Sequence, residues 1–454
     1  NLLADTLMLP ALLDTLTKAG GSAGGIGIIA GVGLLLVLVV AIFAWATGVI
    51  VRGVPAHTRF PAAVAALALA GVMFTPYGAW TAAPFVRDQV RTVTEDLREA
   101  QTFKAELLQD PFHDVPADSL LARLKGMDVL LIFVESYGRA SLDNPAYAPR
   151  LRGVLREFDT VLREKGFSAR SSWVTSSTFG GESYLAHSTA VSGLWIDNRQ
   201  RYAQLLTSTR RTLIGDFNAA GWRTVAVMPA ITAPWPEAAF FRYGKIYAAP
   251  DMDYKGDKFD YLPMSDQFAL SVLQTQELAL TDRAPVMAEV ALISSHVPWA
   301  PLPKLIPWDE VGDGSIFKTA RTAESANDVF RAGRVPEQYA MSVDYSLRTL
   351  MSFITTFARD NTLLIILGDH QPMPFLAGEN ASHDVPAHII AKDPALLAAL
   401  DEDTWTPGME PNASSVVWPM DSLRERILGA FTPSGDQSDL PPPDAEPDRK
   451  TETP

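Results

Sequence analysis

The chain has 454 residues, carries a formal net charge of −14 and contains no cysteine. Its length allows more than one folding unit, and the absence of cysteine excludes disulfides, thiolate metal sites and cysteine nucleophiles without fixing the compartment. A chain this acidic is a poor candidate for general nucleic-acid binding, which needs a basic surface, so no nucleic-acid partner is expected. It begins at Asn1 rather than Met, so we expect a segment ahead of it.

Two uncharged runs near the N-terminus predict a membrane anchor over residues 1–87. The first, residues 26–51, exceeds the roughly 30 Å of a bilayer core at about 1.5 Å per residue. A buried core helix is the alternative, but such helices rarely run this long without a polar face. The second run, residues 60–86, contains prolines and predicts a span over 62–74, followed by an aromatic belt.

The segments around these runs bear on orientation. The link 52–59 is short and basic, which favours a cytoplasmic turn with both outer ends outside. Arg87, Arg91 and Arg98 follow the second run and oppose that orientation. Residues 88–126 are polar and rich in charge, and they predict a helical connector.

From residue 127 to residue 431, short apolar runs alternate with amphipathic stretches. This alternation predicts an α/β/α sandwich with a mostly parallel sheet covered on both faces. The predicted strands are 129–134, 224–228, 290–293, 362–367 and 388–391, and the predicted helices include 212–220, 265–278 and 337–357. The tail, residues 432–454, is acidic and rich in proline and is predicted to be disordered.

Acidic residues follow two of the predicted strands. Glu135 directly follows the run 129–134, and Asp369 and His370 follow the run 362–367. Functional groups gather at the carboxyl ends of parallel strands, and carboxylate plus imidazole suits Zn²⁺ or Mn²⁺ better than Ca²⁺. The alternatives are a helix cap or surface acid for Glu135 and an ordinary strand-end turn for the Asp-His pair.

A cluster of hydroxyl side chains leads into a further predicted helix, residues 182–192. The cluster reads Thr175-Ser-Ser-Thr178-Phe-Gly-Gly-Glu-Ser183. A hydroxyl at a helix N-terminus suits a metal-activated nucleophile, because the free N–H groups of the helix hold the anionic group being transferred. Plain helix capping is the alternative, since Ser, Thr and Gly are common at helix starts.

Together these segments resemble the alkaline phosphatase/sulfatase superfamily, and most closely its membrane-anchored phosphoglycerol and phosphoethanolamine transferases, such as lipoteichoic acid synthase. The resemblance covers roughly residues 127–429 and implies an alkaline-phosphatase-like fold. It rests on four motifs: Phe133-Val-Glu135-Ser, Ser177-Thr178-Phe-Gly-Gly-Glu182-Ser, Ser294-Ser-His296-Val-Pro-Trp and Gly368-Asp369-His370.

The resemblance implies a role for each matching residue. Glu135, Thr178, Asp369 and His370 match the ligands of one divalent metal, Zn or Mn. Thr178 also matches the nucleophile, which takes up the phosphoryl group covalently. His296 matches a histidine that contacts the transferred group or the leaving group.

Other residues are candidates for contacting the substrate. His383 matches a substrate-side histidine of the phosphoethanolamine branch, with a plain loop histidine as the alternative. Trp195 and Arg199 follow the nucleophile helix and are candidates for binding a phosphate head group, with core packing and surface charge as the alternatives. His187 lies inside the predicted helix and is expected to be a packing residue.

The resemblance implies transfer of a phosphoglycerol- or phosphoethanolamine-type group from a membrane phospholipid to an envelope glycan or lipid acceptor. The protein would be a multi-pass protein of a bacterial inner (plasma) membrane, with its catalytic domain on the periplasmic or extracellular side. The sulfatase motif Cys/Ser-x-Pro-x-Arg is missing around Thr178, which disfavours sulfate hydrolysis, and the lack of disulfides favours the phosphoglycerol side. A phosphodiesterase, phosphatase or sulfatase-type hydrolase and a non-catalytic membrane binding protein are the alternatives.

Overall fold

The computed structural model describes residue 91 and residues 98–260 and 262–433. The predicted membrane anchor, 1–87, lies outside the described residues, and so does the predicted tail beyond its first two residues. Within the described part, no helix combines the length and the apolar composition that crossing a bilayer requires.

The chain divides into two compact units, Asn1–Ala105 and Glu106–Pro454. In the stretch predicted as a helical connector, residues 98–108 are helical. Residues 109–126 form turns and a short 3-10 helix at Ala122–Leu124. All the elements described below belong to the second unit.

A nine-stranded sheet forms the centre of this unit. The strands are β1 Asp128–Val134, β2 Ser168–Thr175, β3 Arg223–Met228, β4 Lys245–Ala248, β5 Val286–Leu292, β6 Thr362–Gly368, β7 Asp384–Ala391, β8 Thr406–Pro407 and β9 Val417–Pro419. The strand order is β4-β3-β5-β1-β6-β7-β2-β8, and β9 pairs with β2. Strands β4, β3, β5, β1 and β6 are parallel, whereas β7 runs antiparallel to both of its neighbours, β6 and β2.

Helices connect the strands and cover the sheet. A π-helical turn, Gln274–Leu278, extends the helix Asp266–Leu273. The α-helices are α1 Ala140–Asp143, α2 Ala148–Glu164, α3 Ser183–Ser192, α4 Arg199–Leu206, α5 Leu213–Ala219, α6 Ala238–Phe241, α7 Asp266–Leu273, α8 Ala326–Arg331, α9 Val335–Phe357, α10 Pro374–Ala377, α11 Pro394–Ala398 and α12 Leu423–Phe431.

Strand β1 shows why the sheet is covered on both faces. All seven of its residues are buried, and successive side chains point to opposite faces. Leu130 and Ile132 join a core formed with α2, α7 and α9. Leu131 and Phe133 join a second core formed with α3, α5 and α12. The predicted α/β/α sandwich with a mostly parallel sheet is therefore confirmed.

The sequence pattern missed strand β2. Its segment has polar residues and no continuous apolar run, yet Ser171 and Ser172 are fully buried. Their hydroxyl groups have partners within the fold: Ser171 donates to the carbonyl of Gly408 at 2.6 Å, and Ser172 accepts from the indole N–H of Trp418 at 2.8 Å. Burial of such groups is tolerated because they are hydrogen-bonded.

Candidate active site

Glu135, Asp369 and His370 meet at the carboxyl edge of the sheet. Strands β1 and β6 are neighbours in register, with Val134 beside Gly368, so the residues that follow them emerge side by side. One possible ligand atom from each of the three residues lies within 4.8 Å of the others. All three residues are buried, so Glu135 is not a surface acid.

Gly368 allows this close approach. A Cβ atom at this position would lie 1.9 Å from the carbonyl oxygen of Tyr137, which is a severe clash. Glycine is therefore required sterically at the last position of β6, directly before Asp369. The Oδ1 atom of Asp369 then accepts the backbone N–H groups of Ser136 at 2.8 Å and of His370 at 2.7 Å, which fixes the carboxylate.

His370 directs a lone pair at the two carboxylates. Its Nδ1 lies 2.7 Å from the carbonyl oxygen of Gln371. A carbonyl oxygen can only accept a hydrogen bond, so Nδ1 carries the proton and donates it. In the neutral ring Nε2 is then unprotonated, and it lies 3.4 Å from Oε1 of Glu135 and 3.6 Å from Oδ2 of Asp369. Three electron-rich atoms face one another without a hydrogen between them, so the geometry calls for a cation or a proton.

Burial and the crowding of negative charge shift the pKa values of Glu135 and His370. Burial raises the pKa of Glu135, and the negative charge of Asp369 raises it further. Burial by itself would lower the pKa of His370, but the charges of Asp369 and Glu135 outweigh it and the net shift is upward. A divalent cation would relieve this concentration of negative charge, and the donor set of two carboxylates and one imidazole fits Zn²⁺ or Mn²⁺.

Thr178 lies in a segment that runs along the Asp369–Gln371 strand end. Ahead of it, the hydroxyl of Ser176 donates to the carbonyl of Asp369 at 2.5 Å. Beyond it, the N–H of Gly180 donates to the carbonyl of Gln371 at 3.0 Å. Thr178 is thus held against the strand end on both sides. Its Oγ1 is buried and has no hydrogen-bond partner among the described residues.

Thr178 does not cap helix α3. The helix begins at Ser183, its N-cap residue is Glu182, and no side chain caps it by a hydrogen bond. Gly180 and Gly181 have φ values of 70° and 154°, and this turn separates Thr178 from the helix. The capping alternative is therefore wrong, and so is the expectation that the hydroxyl sits at the helix N-terminus.

Ser183 is a site residue that the sequence pattern did not single out. Its hydroxyl donates to Oε2 of Glu135 at 3.2 Å and lies 3.1 Å from Nε2 of His370. It therefore joins two of the three candidate ligands and ties the start of α3 to them. The available signal was its position at the end of the hydroxyl-rich motif.

A buried carboxylate anchors the loop after strand β5. Oδ1 of Asp266 accepts the backbone N–H groups of Ile293 and Ser294, at 2.7 and 2.9 Å, and its Oδ2 accepts the hydroxyl of Ser346 at 2.6 Å. The burial of Asp266 raises its pKa. This anchor fixes the path of the chain that leads to His296.

His296 lies close to the candidate ligands. The preceding residue, Ser295, donates from its hydroxyl to the backbone carbonyl of Glu135 at 2.6 Å. Nδ1 of His296 lies 2.7 Å from the carbonyl of Val297, and His296 lies close enough to Glu135 to offset a small part of the rise in the pKa of that carboxyl, which burial causes. The structure therefore brings this predicted residue to the site.

The predicted substrate-side residues differ in how near they lie to Thr178. The ring of His383 is exposed and lies 5.2 Å from the ring of Phe179, the next residue after Thr178. Arg199 forms an ion pair at 3.5 Å with Glu182, the residue before α3. Both therefore lie along the segment that leads from Thr178 to α3.

Two further residues have contacts with neighbouring side chains. The indole N–H of Trp195 donates to Asp197 at 3.2 Å, which fixes its ring beside the start of α4. His187 stacks on Phe133 with ring centroids 3.9 Å apart, and its Nδ1 lies 3.5 Å from Oε1 of Glu289. These contacts agree with a packing role for His187, as expected.

Comparison with known proteins finds no matching family model and no matching curated protein. Among solved structures, the chain is similar to the lipoteichoic acid synthase LtaP of Listeria monocytogenes, with 12% identity, 70% of this chain and 75% of that chain covered, and a TM-score of 0.44. It is similar to an alkaline phosphatase superfamily protein of Vibrio parahaemolyticus, with 15% identity, 74% and 75% covered, and a TM-score of 0.46. It is also similar to the phosphoglycerol transferase GacH of Streptococcus pyogenes, with 12% identity, 75% and 82% covered, and a TM-score of 0.44. These proteins are of the kinds that the motifs resemble, but at this level of similarity the function has to be argued from the site.

Proposed function

We propose that the chain is a metal-dependent transferase that moves a phosphoglycerol- or phosphoethanolamine-type group through a phosphorylated Thr178. The observation that carries the proposal is the buried Oγ1 of Thr178, which has no hydrogen-bond partner among the described residues although it lies in a polar site. An unpaired buried hydroxyl costs free energy, so its retention calls for a partner or a reactant. The neighbouring ligand set offers the reason.

Glu135, Asp369 and His370 would hold one divalent metal, with Thr178 as a fourth ligand. Their burial, their mutual spacing and the lone pair of His370 fit such an ion. When bound, the ion supplies positive charge that lowers the pKa of the threonine hydroxyl and offsets charge on the phosphoryl oxygens. Measurements with each ion are needed to choose between Zn²⁺ and Mn²⁺.

The reaction proceeds in two displacements. Thr178 loses its hydroxyl proton to water and attacks phosphorus, forming a Thr Oγ1–P bond while the bond from phosphorus to the lipid alcohol breaks. The leaving alcohol takes a proton from His296. An acceptor hydroxyl then gives its proton to His296 and attacks the phosphothreonine, so that an acceptor O–P bond forms while the Thr Oγ1–P bond breaks and the threonine oxygen takes back a proton from water. Substrate contacts from His383, Arg199 and Trp195 belong to the same proposal.

The donor in this proposal is a membrane phospholipid, and the acceptor is an envelope glycan or lipid. Support comes from the motif resemblance and from the predicted N-terminal membrane spans, which would tether the chain to a bacterial inner membrane that contains such lipids. Hydrolysis uses the same first displacement, with water as the acceptor. Turnover of donor with and without a glycan acceptor separates the two reactions.

Mass spectrometry of the full chain after incubation with metal and native lipids tests the nucleophile. We expect a mass addition on Thr178 that names the transferred group. The variant Thr178→Ala should lose the addition and lose turnover by on the order of a thousandfold or more. Thr175→Ala is the matched control, because the Thr175 hydroxyl in the same segment donates to Asp384 at 3.0 Å. Full turnover by Thr178→Ala would refute the assignment.

A further inference from the structure

Two large apolar side chains are exposed just beyond the candidate ligands. Met373 is 38% exposed and Phe375 is 66% exposed. They flank Pro374 in the segment that follows Asp369 and His370. The ring of Phe375 lies edge-on to Trp299 with centroids 6.3 Å apart, while Trp299 itself is buried. Isolated exposed apolar residues are ordinary, but two of them together at the rim of a site indicate a surface that contacts another apolar phase.

The segment is firmly held, so the exposure is part of the fold. Leu376 is buried, and its carbonyl accepts a hydrogen bond from the Tyr147 hydroxyl at 2.8 Å. The side chain of Gln371 accepts from the N–H of Ala140 at 3.1 Å and donates to the carbonyl of Ser382 at 2.9 Å. Proline on both sides of Met373 further restricts the backbone.

Met373 and Phe375 lie beside the segment that contains the proposed nucleophile, Thr178. A Cβ atom on Gly180 would lie 3.4 Å from Cα of Met373 and 3.5 Å from Cδ of Pro374. Gly180 is two residues from Thr178, so Met373 lies beside the segment that contains Thr178. Residues 371–378 contain no charged residue, so covering them removes no charge from water.

The chain outside the described part points to what covers this pair. Residues 26–51 are uncharged and long enough to cross a bilayer, and the described chain resumes at 98. A bilayer is therefore the apolar phase that the sequence predicts as a partner of this chain. We propose that Met373 and Phe375 insert into the interfacial layer of that bilayer and contact the phospholipid donor as it enters the site. This inference rests on the proposed function for the identity of the donor.

Site-directed labelling of the full chain in nanodiscs tests the contact. The chain has no cysteine, so a single introduced cysteine is a unique labelling position. An environment-sensitive fluorophore on Phe375→Cys should lose at least about half of its emission when the discs contain nitroxide-labelled phosphatidylcholine, since the label sits near the headgroup/acyl boundary. Leu280→Cys is the matched control: Leu280 is 47% exposed and precedes β5, at the opposite edge of the sheet.

Turnover provides the second arm. The double variant Met373→Ser, Phe375→Ser should lose about tenfold in kcat/KM for phosphatidylglycerol or phosphatidylethanolamine in vesicles, since burial of these side chains drives the contact. Its turnover of soluble bis(4-nitrophenyl) phosphate should stay at the wild-type level. Leu280→Ser should leave both activities unchanged.

The outcomes separate the two proposals. Equal and weak quenching at positions 375 and 280 would overturn the bilayer contact, as would equal loss of activity on both substrates by the double variant. A blue-shifted label at 375 without quenching would also overturn it and would place a protein partner or a second copy on the pair. Strong quenching at 375 in a protein that turns over neither substrate would leave the contact standing and refute the proposed function.

Discussion

Acid should destabilise the folded chain through one buried histidine, His388. It lies in β7 without exposed surface, and burial lowers the pKa of its imidazole to about 3. The Ser171 hydroxyl donates to the Gly408 carbonyl at 2.6 Å, so it accepts from Nδ1 of His388 at 2.7 Å. The Tyr137 hydroxyl, 3.3 Å away, donates to Nε2. The fold therefore holds the neutral ring, and a proton on Nε2 would face a donor.

The size of the effect follows from linkage. Histidine in an unfolded chain has a pKa of about 6.5, so between that pH and the folded value the unfolded chain binds more protons. The contribution of His388 to stability is full above about pH 6.5 and is lost as the pH falls. At pH 5 the loss is RT ln(1 + 10^1.5), or about 2 kcal/mol. A folded pKa of about 4 gives nearly the same loss, because the folded ring is still neutral at pH 5.

Urea unfolding of the full chain in detergent micelles, followed by tryptophan fluorescence at pH 8 and pH 5, measures this loss. His388→Gln keeps a donor and an acceptor but cannot titrate. We expect it to be about 1–3 kcal/mol less stable than wild type at pH 8, and the gap should shrink by about 2 kcal/mol at pH 5. His113→Gln is the matched control, because its side chain is 73% exposed. A gap that is the same at both pH values would refute the reasoning.

Three further outcomes are expected. Gly368→Ala places a Cβ 1.9 Å from the Tyr137 carbonyl oxygen and should lower the free energy of unfolding by about 1–3 kcal/mol or more. Gly429→Ala, which has open space around it, should leave the free energy of unfolding unchanged, and thermal unfolding compares the two variants. Ser183→Ala should keep the fold but weaken Zn²⁺ or Mn²⁺ binding by about tenfold in calorimetry, because its hydroxyl orients two candidate ligands; unchanged affinity would contradict this role. Removal of metal by a chelator should abolish turnover and lower Tm, and a cation at about 100 times its Kd should restore about 2.7 kcal/mol of stability; a Tm indifferent to both ions would argue against the metal site.

Local pattern was sufficient for the parts of the fold that bury continuous apolar runs. Strands β1 and β6 are such runs, and the predicted helix 337–357 differs by only two residues from the observed Val335–Phe357. The predicted start of strand β5 was too late, because Glu289 interrupts the apolar pattern of the observed strand Val286–Leu292. This buried carboxylate accepts the hydroxyl of Tyr243 at 2.7 Å and lies 3.5 Å from Nδ1 of His187. A local pattern cannot show a partner so distant along the chain.

The local sequence pattern also failed to predict the antiparallel part of the sheet, because the residues that pair there are far apart along the chain. Strand β7 begins at Asp384, earlier than predicted, and pairs along its length with the unpredicted β2. That pairing places Thr175 beside Asp384 and so directs the following Ser176–Thr178 segment toward the strand end at Asp369. The position of the candidate nucleophile therefore depends on a long-range register.

The sequence by itself determined which chemical groups follow the buried strands, because burial of a continuous apolar run is a local property of the chain. It thereby identified Glu135, Asp369 and His370 as candidate ligands before any geometry was known. Only the tertiary structure decided that these side chains meet, that Ser183 joins them, and that Thr178 lies in a loop against the strand end rather than on a helix cap. These facts depend on strand order and register, which arise from contacts between residues far apart in the chain and leave no local periodicity to read.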